Sequence, residues 1–344
     1  MSSPPSTADD RTVVVRAPTR LDFGGGWTDV PPYSSTVGGY VCNVAITRYA
    51  TVRLTRRITT ELGDASDAGR ELASPGTGDA STLTSPVTSP LASAALRRWE
   101  VRDASVEVTS DFPVGAGLGG SSAVGVALAG ALAAWRGECP DRRTLAERSR
   151  AVEAEECGIA GGRQDHYAAA FGGALGLRFL PGDGVEVRRL PLDERTRRTL
   201  ETRCVLAYTG EARVSATTIT AVLDAVRDRD ARVTDALARM AALAEQMADA
   251  LAAGDVDGLG TLVGEQWTHQ RSLHPAIPTP TIDRLLDAAR RAGALGGKAL
   301  GASGGGCVLA IAPPGRVDAV REALADGAQI LRFQIDDEGV TVVG

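Results

Sequence analysis

Residues 115–135 read GAGLGGSSAVGVALAGALAAW, a turn of small residues running directly into a long apolar segment. Gly115, Gly117, Gly119 and Gly120 lack a Cβ, so the turn can adopt left-handed backbone conformations and pass close to a ligand. Ser121 and Ser122 fall where a helix begins, and their hydroxyls can cap it or face a metal. The first N–H groups of a helix have no partner within it and lie at the positive end of its dipole. Together these favour an anion, most often a phosphate. Taken alone, the stretch fits a buried helix after a flexible turn equally well. The apolar run of residues 122–135 covers only about two-thirds of a membrane span and is expected in a protein core.

The rest of the chain narrows the choice. At 344 residues it can bury a substantial core, and two lobes are expected. Hydrophobic residues at 43% and charged residues at 23% describe an ordinary globular protein. A net charge of −6 excludes a general nucleic-acid binder, which needs a basic surface. Lys298 is the one lysine, arginine supplying every other basic side chain, a pattern read as coding bias. Cys42, Cys139, Cys157, Cys204 and Cys307 have no metal-ligand spacing and read as reduced thiols of a cytoplasmic protein. The N-terminal MSSPPSTADDR has no apolar signal-peptide core, and nothing points to a membrane.

Strands and helices alternate along the chain. Residues 1–10 read as a disordered lead-in, 12–16 as a strand ending at Pro18, and 40–56 as one or two strands. Residues 66–89, rich in Ser, Thr, Gly, Asp and Pro, read as a surface loop of low order. A strand over 105–110 leads into the glycine turn, and a charged helix over 142–157 is stopped by Gly158. A hairpin over 174–190, a strand over 204–208, helical spacing from 215 to 270, and a helix over 282–292 follow. A helix over 316–324 and two short strands finish an α+β chain, divided into residues 11–195 and 196–344.

Three glycine clusters stand out, Phe23–Asp29 (FGGGWTD), Gly115–Ser122 and Gly301–Gly306 (GASGGG). No Walker A pattern is present, and the central loop lacks the context of a dinucleotide fingerprint. In order and flanking residues, the three resemble the motifs of the GHMP kinases. Ala17-Pro18-Thr19-Arg20 running to Gly26-Trp27-Thr28-Asp29 matches the first motif, Pro113 to Gly119 the second, and Gly301–Gly306 the third. The resemblance covers residues 13–312 and implies a two-lobed kinase fold with the substrate between the lobes. Within the superfamily, GGWTDVPPYSSTVGGYVCNVAI, GGRQDHYAAAFGG and AGALGGKALGASGGG resemble D-glycero-D-manno-heptose 7-phosphate kinases. Trp27, in GGWTD, resembles the L-fucokinases instead.

The resemblance implies roles residue by residue. Pro113, Gly115, Ala116, Gly117, Leu118, Gly119, Gly120, Ser121 and Ser122 would cradle ATP, and Ser121 with Glu153 would hold Mg²⁺. Asp165 would face the attacking hydroxyl, and Arg20 would lie near it and the transferred phosphoryl group. Gly26, Trp27, Thr28, Asp29, Gln164, Gly304 and Gly305 would meet a sugar, with Arg163 and Arg213 candidates for a substrate phosphate. On residues alone, Asp165 also reads as a cap of a helix over 166–171, Glu153 as a solvated helix charge, and Trp27 as core. Gly120 departs from the family's serine, and Ser303 and Cys307 depart from a GAGGGGF pattern. His166, His269 and His274 have no ligand spacing and receive no chemistry. A small sugar or sugar phosphate is the expected partner, and a homodimer is left open.

Overall fold

The computed structural model describes residues 11–56, 90–158, 161–211 and 216–344. The expected lead-in over 1–10, the loop over 66–89 and Arg213 lie outside the described residues.

The first sheet is built on a long antiparallel pair, β1 (Thr12–Gly24) with β2 (Gly39–Arg56). One half of β2 pairs with β3 (Ala104–Ser110) and the other with β4 (Ala174–Phe179), which forms the expected hairpin with β5 (Val185–Leu190). Residues 40–56 are therefore one strand. β1 does not end at Pro18 as the sequence suggested. The register shifts between Pro18 and Thr19, so the imide nitrogen falls at an irregularity where no ladder donor is needed. The extra length carries Arg20, Asp22 and Gly24 to the end of the strand.

On this sheet lie α3 (Gly120–Trp135) and α5 (Gln164–Phe171), with α4 (Arg142–Ala151) packed against both helices. The apolar run is a core helix, with nearly every residue from Ser122 to Trp135 buried against Val15, Ala17, Val52 and Leu175. The charged helix expected over 142–157 is α-helical only to Ala151. Val152–Glu156 then forms a π turn before Gly158 (φ 64°), so Glu153 sits in a widened turn of the kind that re-aims side chains at functional sites.

The second sheet has the order β7 (Gly296–Ala299), β8 (Cys307–Ile311), β6 (Cys204–Tyr208), β9 (Gln329–Leu331). The helical stretch resolves into α7 (Ala216–Arg227), α8 (Ala231–Ala252) and α9 (Val256–Ser272). Asp230 accepts the Val233 N–H and Asp255 the Gly258 N–H, capping the last two. In α8, Val233, Leu237, Met240, Leu243, Met247 and Leu251 recur at helical spacing and are buried, each stabilising by about 1.5–3 kcal/mol. Met247, Leu243 and Leu251 share a core with Leu21, Phe23 and Leu300, which joins the two sheets. The short β10 (Thr341–Val342) returns to pair with β1, so the chain's last strand belongs to the first sheet. Among the described residues no helix is long and apolar enough to cross a membrane.

Candidate active site

A cleft of about 270 Å³ opens where the end of β1, the turn Gly25–Val30, the start of α3, the start of α5 and the turn after β7 converge. Its walls bring together Arg20, Gly26, Trp27, Asp29, Gly119, Gly120, Ser121, Ser122, Glu153, Gln164 and Asp165, all residues singled out in the sequence. Gly301 and Ala302 represent the third glycine cluster there; Gly304 and Gly305 do not line the cleft.

The loop leading to α3 has φ of 73° at Gly115 and 77° at Gly117 and Gly119, conformations that favour glycine. Contacts explain the rest. A Cβ on Gly117 would lie 2.6 Å from the Leu300 carbonyl oxygen, and one on Gly119 would lie 3.0 Å from Asp165 Cγ. The Cys307 N–H donates to the Ala116 carbonyl at 2.8 Å, so the third glycine turn braces the loop. Pro113, Gly115, Ala116, Gly117 and Leu118 shape this support without lining the cleft. The departure at Gly120 is steric, because a Cβ there would meet Phe112 Cε2 at 2.4 Å. The first N–H to find a partner inside α3 is that of Ala123, on the Gly119 carbonyl. The N–H groups before it mark an anion-binding end.

Neither serine caps the helix. Ser121 Oγ donates to Glu153 Oε1 at 2.6 Å, and Glu153 Oε2 lies 2.8 Å from His166 Nε2. His166 Nδ1 lies 3.0 Å from Ser149 Oγ, and Ser122 Oγ lies 3.3 Å from His166 Nε2. Burial pushes the Glu153 carboxyl upward, but hydrogen bonds from His166, Ser121 and Ser122 outweigh it and hold the pKa below the usual range. Glu153 is therefore buried and networked, not a solvated helix charge. His166, given no chemistry from sequence, is what holds it. The hydroxyl and the carboxylate are hard oxygen donors side by side on the cleft wall, a pair that suits Mg²⁺ completed by nucleotide phosphates.

Asp165 lies in the first turn of α5 but does not cap it; Arg163 occupies the cap position without a side-chain bond. Its Oδ1 accepts Arg20 Nε at 2.8 Å and Arg20 Nη2 at 2.8 Å, while Arg20 Nη1 donates to the Gly117 carbonyl at 2.7 Å. Arg20 is almost wholly buried, not a surface ion pair, and it ties the carboxylate to the glycine loop.

Asp29 also lines the cleft. Its Oδ2 accepts the Gln164 N–H at 3.0 Å, and burial, with Asp165 and Asp22 nearby, drives its pKa up to about 6 against that hydrogen bond. Trp27, at φ 81°, is buried yet lines the cleft. Thr28 has a structural part, its hydroxyl bonded to the Gly25 and Tyr40 carbonyls. Arg163 turns away from the cleft, engaged by the Asp183 carbonyl and carboxylate, with Glu147 at 4.0 Å. Lys298, dismissed as coding bias, is fully buried and pairs with Asp22.

The profile of the GHMP kinases N terminal domain matches residues 88–173, and that of the GHMP kinases C terminal matches residues 247–329. A galactokinase of Mycobacterium bovis is 31% identical over 91% of this chain and 93% of its own length. The chain belongs to the GHMP kinase family. It is therefore a phosphotransferase. A D-glycero-alpha-D-manno-heptose 7-phosphate kinase of Campylobacter jejuni is 26% identical to this kinase over 96% of it and 98% of the relative. A bifunctional fucokinase/GDP-fucose pyrophosphorylase of Arabidopsis thaliana is 28% identical over 91% of the chain, which spans only 31% of that longer protein. The chain likewise spans 38% of an L-fucokinase/L-fucose-1-P guanylyltransferase of Bacteroides fragilis. The crystal structure of a D-glycero-D-manno-heptose 1-phosphate kinase superposes with a TM-score of 0.72 at 26% identity, covering 96% of this chain and 99% of that one.

Proposed function

We propose that this kinase transfers the γ-phosphoryl group of ATP to the anomeric hydroxyl of a sugar, with D-glycero-D-manno-heptose 7-phosphate as the first-choice acceptor. The observation that carries the reading is Asp165, held at 2.8 Å by Arg20 against the glycine loop, in the same cleft as the start of α3. Phosphoryl transfer asks chiefly for positioning and charge neutralisation. The backbone N–H groups opening α3 hold phosphate oxygens. Asp165 accepts the hydroxyl proton through its free oxygen, and Arg20 orients that carboxylate and offsets developing charge. Ser121 and Glu153 would hold Mg²⁺, which supplies charge neutralisation on the phosphates when bound. A second depression beyond Ser121, walled by Leu91, Val124 and Cys157, offers apolar surface for the nucleotide base.

Support for the heptose phosphate comes from the sequence segments quoted above and the near end-to-end match to the Campylobacter jejuni enzyme. One observation favours a second reading, a free sugar such as L-fucose. Among the described residues, Asp22, Asp29, Glu153 and Asp165 line the cleft with Arg20 as the one cation, and Arg163 is engaged elsewhere. ADP release with ATP, Mg²⁺ and a panel of phosphorylated and free sugars tests both. Strong preference for the 7-phosphate over the free heptose supports the first reading. Preference for an unphosphorylated sugar supports the second, and ADP release with no sugar in the panel overturns both.

A further inference from the structure

Asp22, on the last turns of the β1 ladder, lines the cleft but belongs to no role the motifs suggested. Its Oδ2 lies 2.9 Å from Lys298 Nζ, which also donates to the Asp22 main-chain oxygen at 3.0 Å. Both side chains are at most 1% exposed. Oδ1 has no hydrogen-bond partner among the described residues. A buried carboxylate oxygen left without a donor is costly, so a native site that keeps one has a use for it. Asp29 Oδ1, Gln164 Oε1 and Trp27 Nε1 on the same cleft wall are also unpartnered. The set offers three acceptors and one donor, and its complement is a ligand that presents several O–H groups. The wall is also tight: a Cβ on Gly26 would lie 2.6 Å from Asp22 Oδ2 and 3.1 Å from Gln164 Nε2.

We propose that Asp22 Oδ1 accepts a hydrogen bond from a non-reacting hydroxyl of the acceptor, and that Lys298 is the positioning residue that holds it there. The inference rests on the sugar-kinase reading and deepens it. Lys298 does not line the cleft, and its ammonium takes Oδ2 and the main-chain oxygen, leaving Oδ1 as the oxygen offered to a ligand. Arg20 cannot substitute, since it is committed to Asp165 and Gly117. Among the described residues this wall offers no unpaired cation to a phosphate, since Lys298 is taken by Asp22 and Arg20 by Asp165, so any phosphate the acceptor already carries points away from it. Selectivity then comes from the pattern of hydroxyls, because a buried acceptor left unpaired discriminates strongly against an analogue lacking the O–H.

The test compares wild type, Asp22→Asn and the double variant Asp22→Asn/Lys298→Met, the last removing both buried charges so that neither is stranded. Steady-state kcat and KM are measured for ATP, for L-fucose and its single-deoxy analogues, and for D-glycero-D-manno-heptose 7-phosphate, with Tm as the fold check. The expected result is an unchanged KM for ATP and a sugar KM raised by about tenfold to a hundredfold. One deoxy analogue, poor with the wild-type enzyme, should also become as good as its parent sugar in Asp22→Asn, a change that a merely structural role would not produce. A sugar KM within twofold of wild type and an unmoved deoxy ranking, in either variant, overturn the inference alone. Turnover of neither sugar by the wild-type kinase overturns the sugar reading and the inference with it.

Discussion

Replacing Asp29 by asparagine should stabilise the kinase, and the gain should depend on pH in a defined way. Asp29 is 2% exposed, and its pKa is driven from 3.8 to about 6 by burial first, with Asp165 and Asp22 adding repulsion. Asparagine keeps an oxygen for the Gln164 N–H and exchanges one unpartnered atom at Oδ1 for another. Because the folded pKa lies above the unfolded one, the carboxylate carries no penalty well below 3.8 and the full penalty well above 6. A shift of this size amounts to about 3 kcal/mol, with roughly half of it present at pH 5. For a chain of 344 residues that is a Tm increase of about 4 °C at pH 8. Thermal melts of both proteins from pH 5 to 8 should show the gap widening as pH rises. A variant less stable than wild type at pH 8, or a gap that shrinks with pH, would refute the burial argument. In catalysis the same titration should appear as a fall in acceptor kcat/KM as wild type is taken below about pH 6, a limb missing from the variant.

Three further outcomes follow from the site. Asp165→Asn keeps an oxygen for Arg20 but cannot take a proton, so kcat should fall by about 10²–10⁴ with little change in the KM for ATP; an active variant would remove Asp165 from the chemistry. His166→Gln withdraws the ring that holds Glu153 Oε2, and the half-saturating Mg²⁺ concentration should rise about tenfold while the acceptor KM holds; titrating Mg²⁺ at saturating ATP reads this directly. Gly120→Ser forces a Cβ against Phe112 and should cost about 1–3 kcal/mol, recovered in part by Phe112→Ala, as urea melts would show.

How much of this was legible in the sequence depends on what carries each residue. The glycine loop and α3 announce themselves because turn chemistry and helical periodicity are local signals, whereas Asp165 was marked by the family resemblance, and the structure brings all three to one cleft. Local signals alone misled there, since a carboxylate at a helix start reads as a cap, but Asp165 is turned to Arg20 on β1. Pro18 marked a strand end because a proline lacks a donor, and only the sheet reveals the register shift that tolerates it. The π turn at Val152–Glu156 has the composition of an α-helix, so its special geometry left no trace in the residue types. His166 and Lys298 were invisible for another reason: their partners sit on other elements, with Glu153 in the π turn before α5 for His166 and Asp22, 276 residues away, for Lys298. A lone lysine among arginines was the one available signal. An ammonium pairs with a single carboxylate oxygen as a point charge, where guanidinium would demand a fork-shaped partner.

Asp165 and the glycine loop are proposed to transfer a phosphoryl group to an anomeric oxygen. The most direct test of this transfer is the product itself, followed by ³¹P NMR with proton coupling in reactions of wild type and Asp165→Asn with ATP, Mg²⁺ and the preferred sugar. With wild type a new phosphate monoester coupled to the anomeric proton is expected, and with Asp165→Asn it should be nearly absent. Phosphate coupled to any other sugar proton, or an anomeric phosphate formed equally fast by the variant, would contradict the proposed transfer.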